Sequence, residues 1–253
     1  MENFEEVVLA QLGLFFMHPF WDVSICINEM KTLGEHTEES ITLLLEEIKQ
    51  EGVILHEQQF IEYDEGNGSL FECYYYKGVS GDSEQEVKLE YEWLISQMYR
   101  RSAFLTIFGR FEYNLDKCLL KMLEISNSTE TRSERKNGIP ARVHKILTTV
   151  IAIGTSLVIE DVDYLRVIRN HIAHNNAFID TSIESKRLAI EKSERANLLK
   201  MNAYNEIILN ETFLSHAVDE FERYIKQMTD AVKVYNEMHS TASSTSNPTT
   251  TFS

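Results

Sequence analysis

The chain has 253 residues, with 24 lysines and arginines against 40 aspartates and glutamates, a formal net charge of −16. That length can hold one large or two small domains around a real core. The charge argues against a general polyanion-binding surface, so any contact with nucleic acid needs a local cationic patch.

Hydrophobic residues at 43% and charged residues at 25% fit an ordinary globular chain, and only 3 prolines and 10 glycines interrupt it, which favours long helices. Cys26, Cys73 and Cys118 are odd in number and unrelated in spacing, so neither a zinc ribbon nor a disulfide framework is signalled. No stretch is long and apolar enough to span a bilayer. Glu2, Glu5 and Glu6 stand where a secretory leader carries basic residues. The expectation is a cytoplasmic protein with reduced thiols and no membrane partner.

In chain order, residues 1–63 read as helical with interruptions. Residues 4–16 are apolar and helical, and His18-Pro19 breaks the pattern. Residues 38–50 form a short amphipathic helix with Ile41, Leu44, Leu45 and Ile48 on one face. Residues 54–79 change texture: Phe60-Ile61-Glu62-Tyr63 and Leu70-Phe71-Glu72-Cys73-Tyr74-Tyr75-Tyr76 are strand-like, and Asp64 to Ser69 between them is turn chemistry, so a β-hairpin is predicted. Residues 84–125 hold the longest helical pattern, with Leu94, Met98, Leu105, Phe108, Leu115, Leu119 and Met122 recurring largely at helical spacing. Residues 127–140 read as a polar loop, 142–153 as a helix stopped by Gly154, and a further helix starts near Asp161, where Glu160, Asp161 and Asp163 suit its positive end. Residues 180–205 are highly charged and ambiguous. Residues 206–209 suggest a short strand, 212–238 a last long helix, and the tail from Ser240 has little to bury and should be disordered.

The chemistry concentrates at Arg166-Val167-Ile168-Arg169-Asn170-His171-Ile172-Ala173-His174. On a helical wheel Leu165, Ile168 and Ile172 share an apolar side, and Arg166, Asn170 and His174 line up at i, i+4 and i+8. A guanidinium holds a phosphate with a fixed fork of donors, and an imidazole moves protons near neutral pH. This row carries no acid in a chain that has 40. A second anomaly is Glu112, four residues after Phe108 and three before Leu115, which puts a carboxylate on the apolar stripe of the long helix. Such a carboxylate must meet a cation or shift its pKa, and Arg169 or Arg166 is the expected partner, either as a structural ion pair or as a device that orients the arginine.

Arg169-Asn170-x-x-x-His174 after a strongly helical run resembles the signature of the HEPN superfamily (higher eukaryotes and prokaryotes nucleotide-binding domain): an arginine, four to six residues, then a histidine, often with a polar residue directly after the arginine. The order of elements is similar too, over roughly residues 84–239, whereas residues 1–83 resemble no family. The resemblance implies a mainly α, up-and-down helical bundle, here with a small N-terminal α/β hairpin elaboration, that forms a homodimer through the motif helices. It implies a metal-independent endoribonuclease, without cofactor, in a prokaryotic cytoplasm, often a toxin or phage-defence effector with an antitoxin or sensor protein as partner. His174 would be general base or acid, Arg169 would stabilise charge on the phosphoryl group, Asn170 would position substrate or brace the dimer, and Glu112 would orient or tune them. Arg166, Arg142, Lys145 and His171 would contact RNA, with His171, nearer the apolar side, in a supporting or structural role. The chain departs from the branch that carries a tyrosine two residues after the histidine: that position is Asn176.

Other features are weaker. His171-x-x-His174 lacks a third ligand at metal spacing, so no metal is expected. Arg132, Arg135, Lys136, Arg142, His144 and Lys145 form the densest cationic cluster, either a lead-in for RNA or a solvated loop. Tyr74-Tyr75-Tyr76 fits alternating strand residues better than a base-stacking platform. The rival reading of the whole is a catalytically silent module of this fold that binds RNA, nucleotide or a partner protein, which the acidic charge favours.

Overall fold

The computed structural model describes residues 18–51, 55–64, 67–128, 138–152 and 157–244. Helix α1 (His18–Glu51) runs unbroken for 34 residues, with Pro19 in its first described turn. Proline in a first turn loses no hydrogen bond, because the first N–H groups of a helix have no partner inside it. The expected helix over 38–50 is the last part of α1. The apolar segment 4–16 lies outside the described residues.

Phe20, Val23, Ile27 and Met30 on α1 are buried against α2 (Glu84–Ile125) and α6 (Phe213–Ser244). Helices α1 and α2 run antiparallel: Glu38 meets Arg100, Glu29 meets Arg110, the Asn114 amide meets the Cys26 sulfur, and the Cys118 thiol donates to the Pro19 carbonyl. Gly34 of α1 faces α6, where a Cβ would make an ordinary contact 3.6 Å from Leu214 Cβ. The boundary expected at residue 83 is therefore not a boundary of the core, because α1 shares one apolar cluster with the helices that follow.

Between α1 and α2, β1 (Leu55–Asp64) and β2 (Asn67–Tyr76) pair antiparallel, as the turn chemistry predicted. A third strand, β3 (Val79–Gly81), pairs back on β2 through Lys77 and Gly78, both at positive φ. That two-residue turn matches the right-handed twist of the strands. Ser83 then caps α2, its hydroxyl accepting from the Glu86 amide at 3.1 Å.

After α2 come α3 (Gly138–Ile146), a π-helical turn over Leu147–Ile151, α4 (Glu160–Asn175), α5 (Glu184–Arg195), the paired strands β4 (Leu199–Met201) and β5 (Ile207–Leu209), and α6. The ambiguous stretch over 180–205 thus holds a helix and a strand. Helix α6 runs past Met238 to Ser244, five residues into the expected tail; residues 245–253 and Gly154 lie outside the described residues. The fold is mainly α, as expected.

Its centre is aromatic. Phe104, Phe108 and Phe111 on α2 interlock with Phe213, Phe221 and Tyr224 on α6, and the rings of Phe111 and Phe221 stack at 4.0 Å. These rings are fully buried, and emptying one such site by truncation to alanine costs about 3–5 kcal/mol. The site helix α4 lies on this block through Val162, Leu165, Ile168 and Ile172.

Candidate active site

Helix α4 is held at both ends. Near its start Asp161 accepts from Arg223 of α6 at 3.0 Å and pairs with Lys192 of α5. At its end Asn176 adopts the left-handed conformation (φ 50°, ψ 38°), and the amide of Ala177 donates to the His171 carbonyl at 3.0 Å. The following strand-like residues join the β4–β5 corner: the Ile207 amide donates to the Ala177 carbonyl, and the Ile179 amide to the Asn205 carbonyl. Asparagine is among the few side chains that enter the left-handed region at low cost. The departure at Asn176 therefore has a structural reason: this position stops the helix.

Between these anchors, Arg169 leaves α4 toward α2. Its Nη2 donates to Oε2 of Glu112 at 2.6 Å, its Nη1 donates to Oδ1 of Asn170 at 3.0 Å, and its guanidinium carbon lies 5.3 Å from the centre of the Phe108 ring. The pair is neither dry nor free, with the side chains of Arg169 and Glu112 26% and 20% exposed. Of the two candidate partners for Glu112, Arg169 makes the bond. Arg166 acts at longer range, because Asp163 on its own helix accepts from its Nε and Nη2 at 2.8 and 2.7 Å.

Burial pushes the Glu112 carboxyl above its ordinary value, and the charges of Arg169 and then Arg166 pull it part of the way back. Part of that burial comes from the start of α3. Gly138 sits at φ +76°, and a Cβ there would stand 3.6 Å from Arg166 Cδ and 4.0 Å from Glu112 Oε1. Those are ordinary contacts, so it is the positive φ that suits glycine to this position.

The remaining expected residues fall in different places. His174 is exposed on the last turn of α4 and makes no hydrogen bond or ion pair among the described residues. Five residues separate it from Arg169, which on a helix is about 140° of rotation and roughly 7.5 Å of rise. His171 is buried, 5% exposed, and its Nδ1–H donates to the Phe178 carbonyl at 2.9 Å, with the Asn175 amide 3.1 Å from the same ring nitrogen. Burial lowers its pKa, against the opposing pull of the Phe178 carbonyl. His171 thus lies under the surface and holds the turn after α4, which corrects its expected place among the RNA-contacting residues. Arg142 and Lys145 lie on α3, the first half-buried and the second exposed, on the helix whose first residue abuts Glu112.

The structure thus gathers Glu112, Arg169 and Asn170, with Arg166 beside them, and places His174 apart on the same helix. Sequence reasoning missed Phe108 as the ring under Arg169, Asp163 as the clamp on Arg166, and Gly138 as the cover over Glu112. The i, i+3 spacing of Asp163 and Arg166 was a usable signal for the clamp. Among the described residues no group of three histidine, cysteine, aspartate or glutamate side chains could hold a metal ion, and no helix is long and apolar enough to cross a membrane. Compared with known proteins, the chain matches no family model, no curated protein and no solved structure.

Proposed function

We propose that the chain is a metal-independent endoribonuclease of the HEPN type, working as a homodimer whose motif helices α4 face each other. The observation that carries this reading is the guanidinium of Arg169, fixed on α4 by Glu112 and Asn170 while His174 stands exposed further along the same helix. Two of the five N–H donors of Arg169 are engaged, which leaves three to grip a phosphate.

In the proposed reaction one imidazole of His174 takes the proton of a ribose 2′-hydroxyl. The freed oxygen attacks the adjacent phosphorus and the bond to the 5′-oxygen breaks. The second copy's histidine returns a proton to that 5′-oxygen, so the products are a 2′,3′-cyclic phosphate and a 5′-hydroxyl. Arg169 meets the charge that builds on the non-bridging oxygens. Arg166, Arg142 and Lys145 form the local cationic patch that an acidic chain needs in order to approach RNA. A toxin or phage-defence role, restrained by an antitoxin or sensor protein in a prokaryotic cytoplasm, belongs to the same proposal.

A second reading, a module that binds RNA or a partner without cutting, is favoured by the net charge of −16. One experiment separates them. Total RNA is incubated in EDTA with the wild type, Arg169→Ala and His174→Ala. Cleavage to cyclic-phosphate ends that drops by about 100-fold or more in both variants supports the nuclease. RNA retained intact by the wild type supports the binding module, and neither cleavage nor retention leaves protein interaction alone.

A further inference from the structure

The residues just past α4 run beside the β4–β5 corner. Phe178 stands opposite Glu206 in an antiparallel bridge, and Lys200 of β4 stands opposite Ile208 of β5. Side chains alternate across a strand. Ala177, Ile179, Ile207 and Leu209 are buried, which turns Phe178, Glu206, Ile208 and Lys200 to the outer face. Three features of this face point to one kind of ligand.

The first is Arg101 on α2, half-buried at the edge of the corner. Its Nη2 donates to the Ile207 carbonyl at 2.7 Å, beside the bond from the Ile207 amide to the Ala177 carbonyl. Its Nε is buried and has no partner. Arg100 and Arg110 on the same helix meet Glu38 and Glu29, whereas Arg101 makes no ion pair among the described residues. Burial lowers its pKa, and Glu206 opposes that only at longer range. A desolvated guanidinium without an anion is unfavourable until one arrives.

The second is a pair of exposed rings. Phe178 is 46% exposed, and Tyr204, in the turn between β4 and β5, is 79% exposed. Asn202 fixes that turn, its side-chain oxygen accepting from the Tyr204 and Glu206 amides at 2.9 Å each. The third is charge and place. Lys200 is exposed, and its ammonium has no partner among the described residues. The acids nearby are engaged: Glu206 accepts from the Asn202 amide group at 2.9 Å and Asp180 from the Ser182 amide at 3.0 Å. The Phe178 amide donates to the Asn175 carbonyl at 2.8 Å, so this face begins where the motif helix ends, four residues past His174. Cations that lack anions, set among open aromatic rings, suit a single nucleic-acid strand, whose bases stack and whose phosphates need charge. A duplex keeps its base faces hidden.

We propose that this face holds the single-stranded RNA flanking the scissile phosphate, with Phe178 and Tyr204 stacking its bases and Arg101 and Lys200 holding its backbone. The proposal rests on the reading of α4 as the cleavage site. It makes cutting depend on unpaired nucleotides on one side of the cut.

The test is fluorescence anisotropy of the full chain carrying His174→Ala, which keeps the probe intact, with labelled oligouridylate and with an RNA duplex of the same length. The single strand should bind about tenfold or more tightly than the duplex. Adding Phe178→Ala and Tyr204→Ala, both exposed rings whose loss leaves the core untouched, should weaken single-strand binding about tenfold or more. Adding Arg101→Gln should weaken it roughly fivefold and reduce its salt slope by about one. Lys226→Gln, an exposed cation on α6, should leave it unchanged. Equal affinity in the parent and the ring variants overturns the proposal, as does a parent that binds no single strand or binds the duplex as tightly. Preference for polyglutamate over oligouridylate also overturns it, since that assigns Arg101 and Lys200 to an acidic protein partner. Failure of the nuclease reading is seen separately: a chain with His174 restored that holds oligouridylate uncut in EDTA, with the same losses in the variants, keeps this binding face and overturns only the cleavage.

Discussion

Arg169 on α4 and Glu112 on α2 are joined by a 2.6 Å bond laid across the face of Phe108, so one cation ties the motif helix to the longest helix of the chain. Both side chains keep some contact with water, which holds the cost of breaking the pair below the roughly 3–5 kcal/mol seen for fully buried pairs. Arg169→Ala is expected to destabilise by about 2 kcal/mol, because it strands a half-buried carboxylate. Glu112→Gln is expected to cost less than about 1 kcal/mol, since it removes the charge that burial penalises and keeps an acceptor. The native state raises the Glu112 pKa, so it holds that proton more tightly than the unfolded chain does. Stability attributable to this group therefore falls as pH rises through the raised value. The loss in Arg169→Ala should shrink on acidification, and urea midpoints at pH 5 and pH 8 for both single variants and the double variant measure it.

Two glycines separate conformation from space. Gly138 has φ +76° and faces Arg166 and Glu112, whereas Gly34 is helical and a Cβ there would make an ordinary 3.6 Å contact with Leu214. Gly138→Ala should cost about 1–2 kcal/mol through left-handed strain. Gly34→Ala should be neutral or stabilise by up to about 1 kcal/mol through helix propensity. Thermal melts of the two variants, which differ from wild type by one methyl each, should move in different directions.

At Asn176 the left-handed cap, with φ 50°, makes its own demand. Asn176→Tyr and Asn176→Val should each lose about 1–2 kcal/mol, and Asn176→Gly should stay within about 0.5 kcal/mol of wild type. If the tyrosine variant melts at the wild-type temperature, the cap does not set the choice of residue here.

His171 gives an acid limit. Its pKa is lowered from the ordinary 6.5 by burial, so the native state resists a proton that the unfolded chain accepts. The stability tied to neutral His171 is complete above about pH 6.5 and is lost as pH falls through the lowered value. His144, lowered by burial as well, acts in the same direction. Replacing His171 with Gln should lower the melting midpoint at pH 7.5 and flatten its decline between pH 6.5 and pH 5, leaving the slope owed to His144.

Much of the helical frame was legible because burial follows periodicity. The pattern over residues 84–125 coincides with α2, and a carboxylate on that stripe was visible at Glu112 before any partner was known. Which arginine would reach it was not legible. A helical wheel ranks Arg166 and Arg169 by angle on α4 but says nothing about where α2 lies. Helix α5 was obscured because its buried residues are only Ala189, Ile190 and Ser193 amid charge. Strand β3 had a signal that went unread, the Lys77-Gly78 pair. The helical wheel sets His171 nearer the apolar side than His174, but only the turn after α4 shows His171 buried and bonded to the Phe178 carbonyl while His174 faces water.

The anchoring of α4 by Asp161 at one end and by the Ala177–Ile207 corner at the other has a mechanical consequence. A beam pinned at both supports does not slide or pivot, so its main chain offers little travel to an arriving ligand. Adjustment at Arg169 and His174 then falls to torsions about side-chain bonds, which settle in picoseconds to nanoseconds. On the proposed reading of α4 as an RNA site, recognition there should be quick, with little backbone reorganisation between the empty and occupied states.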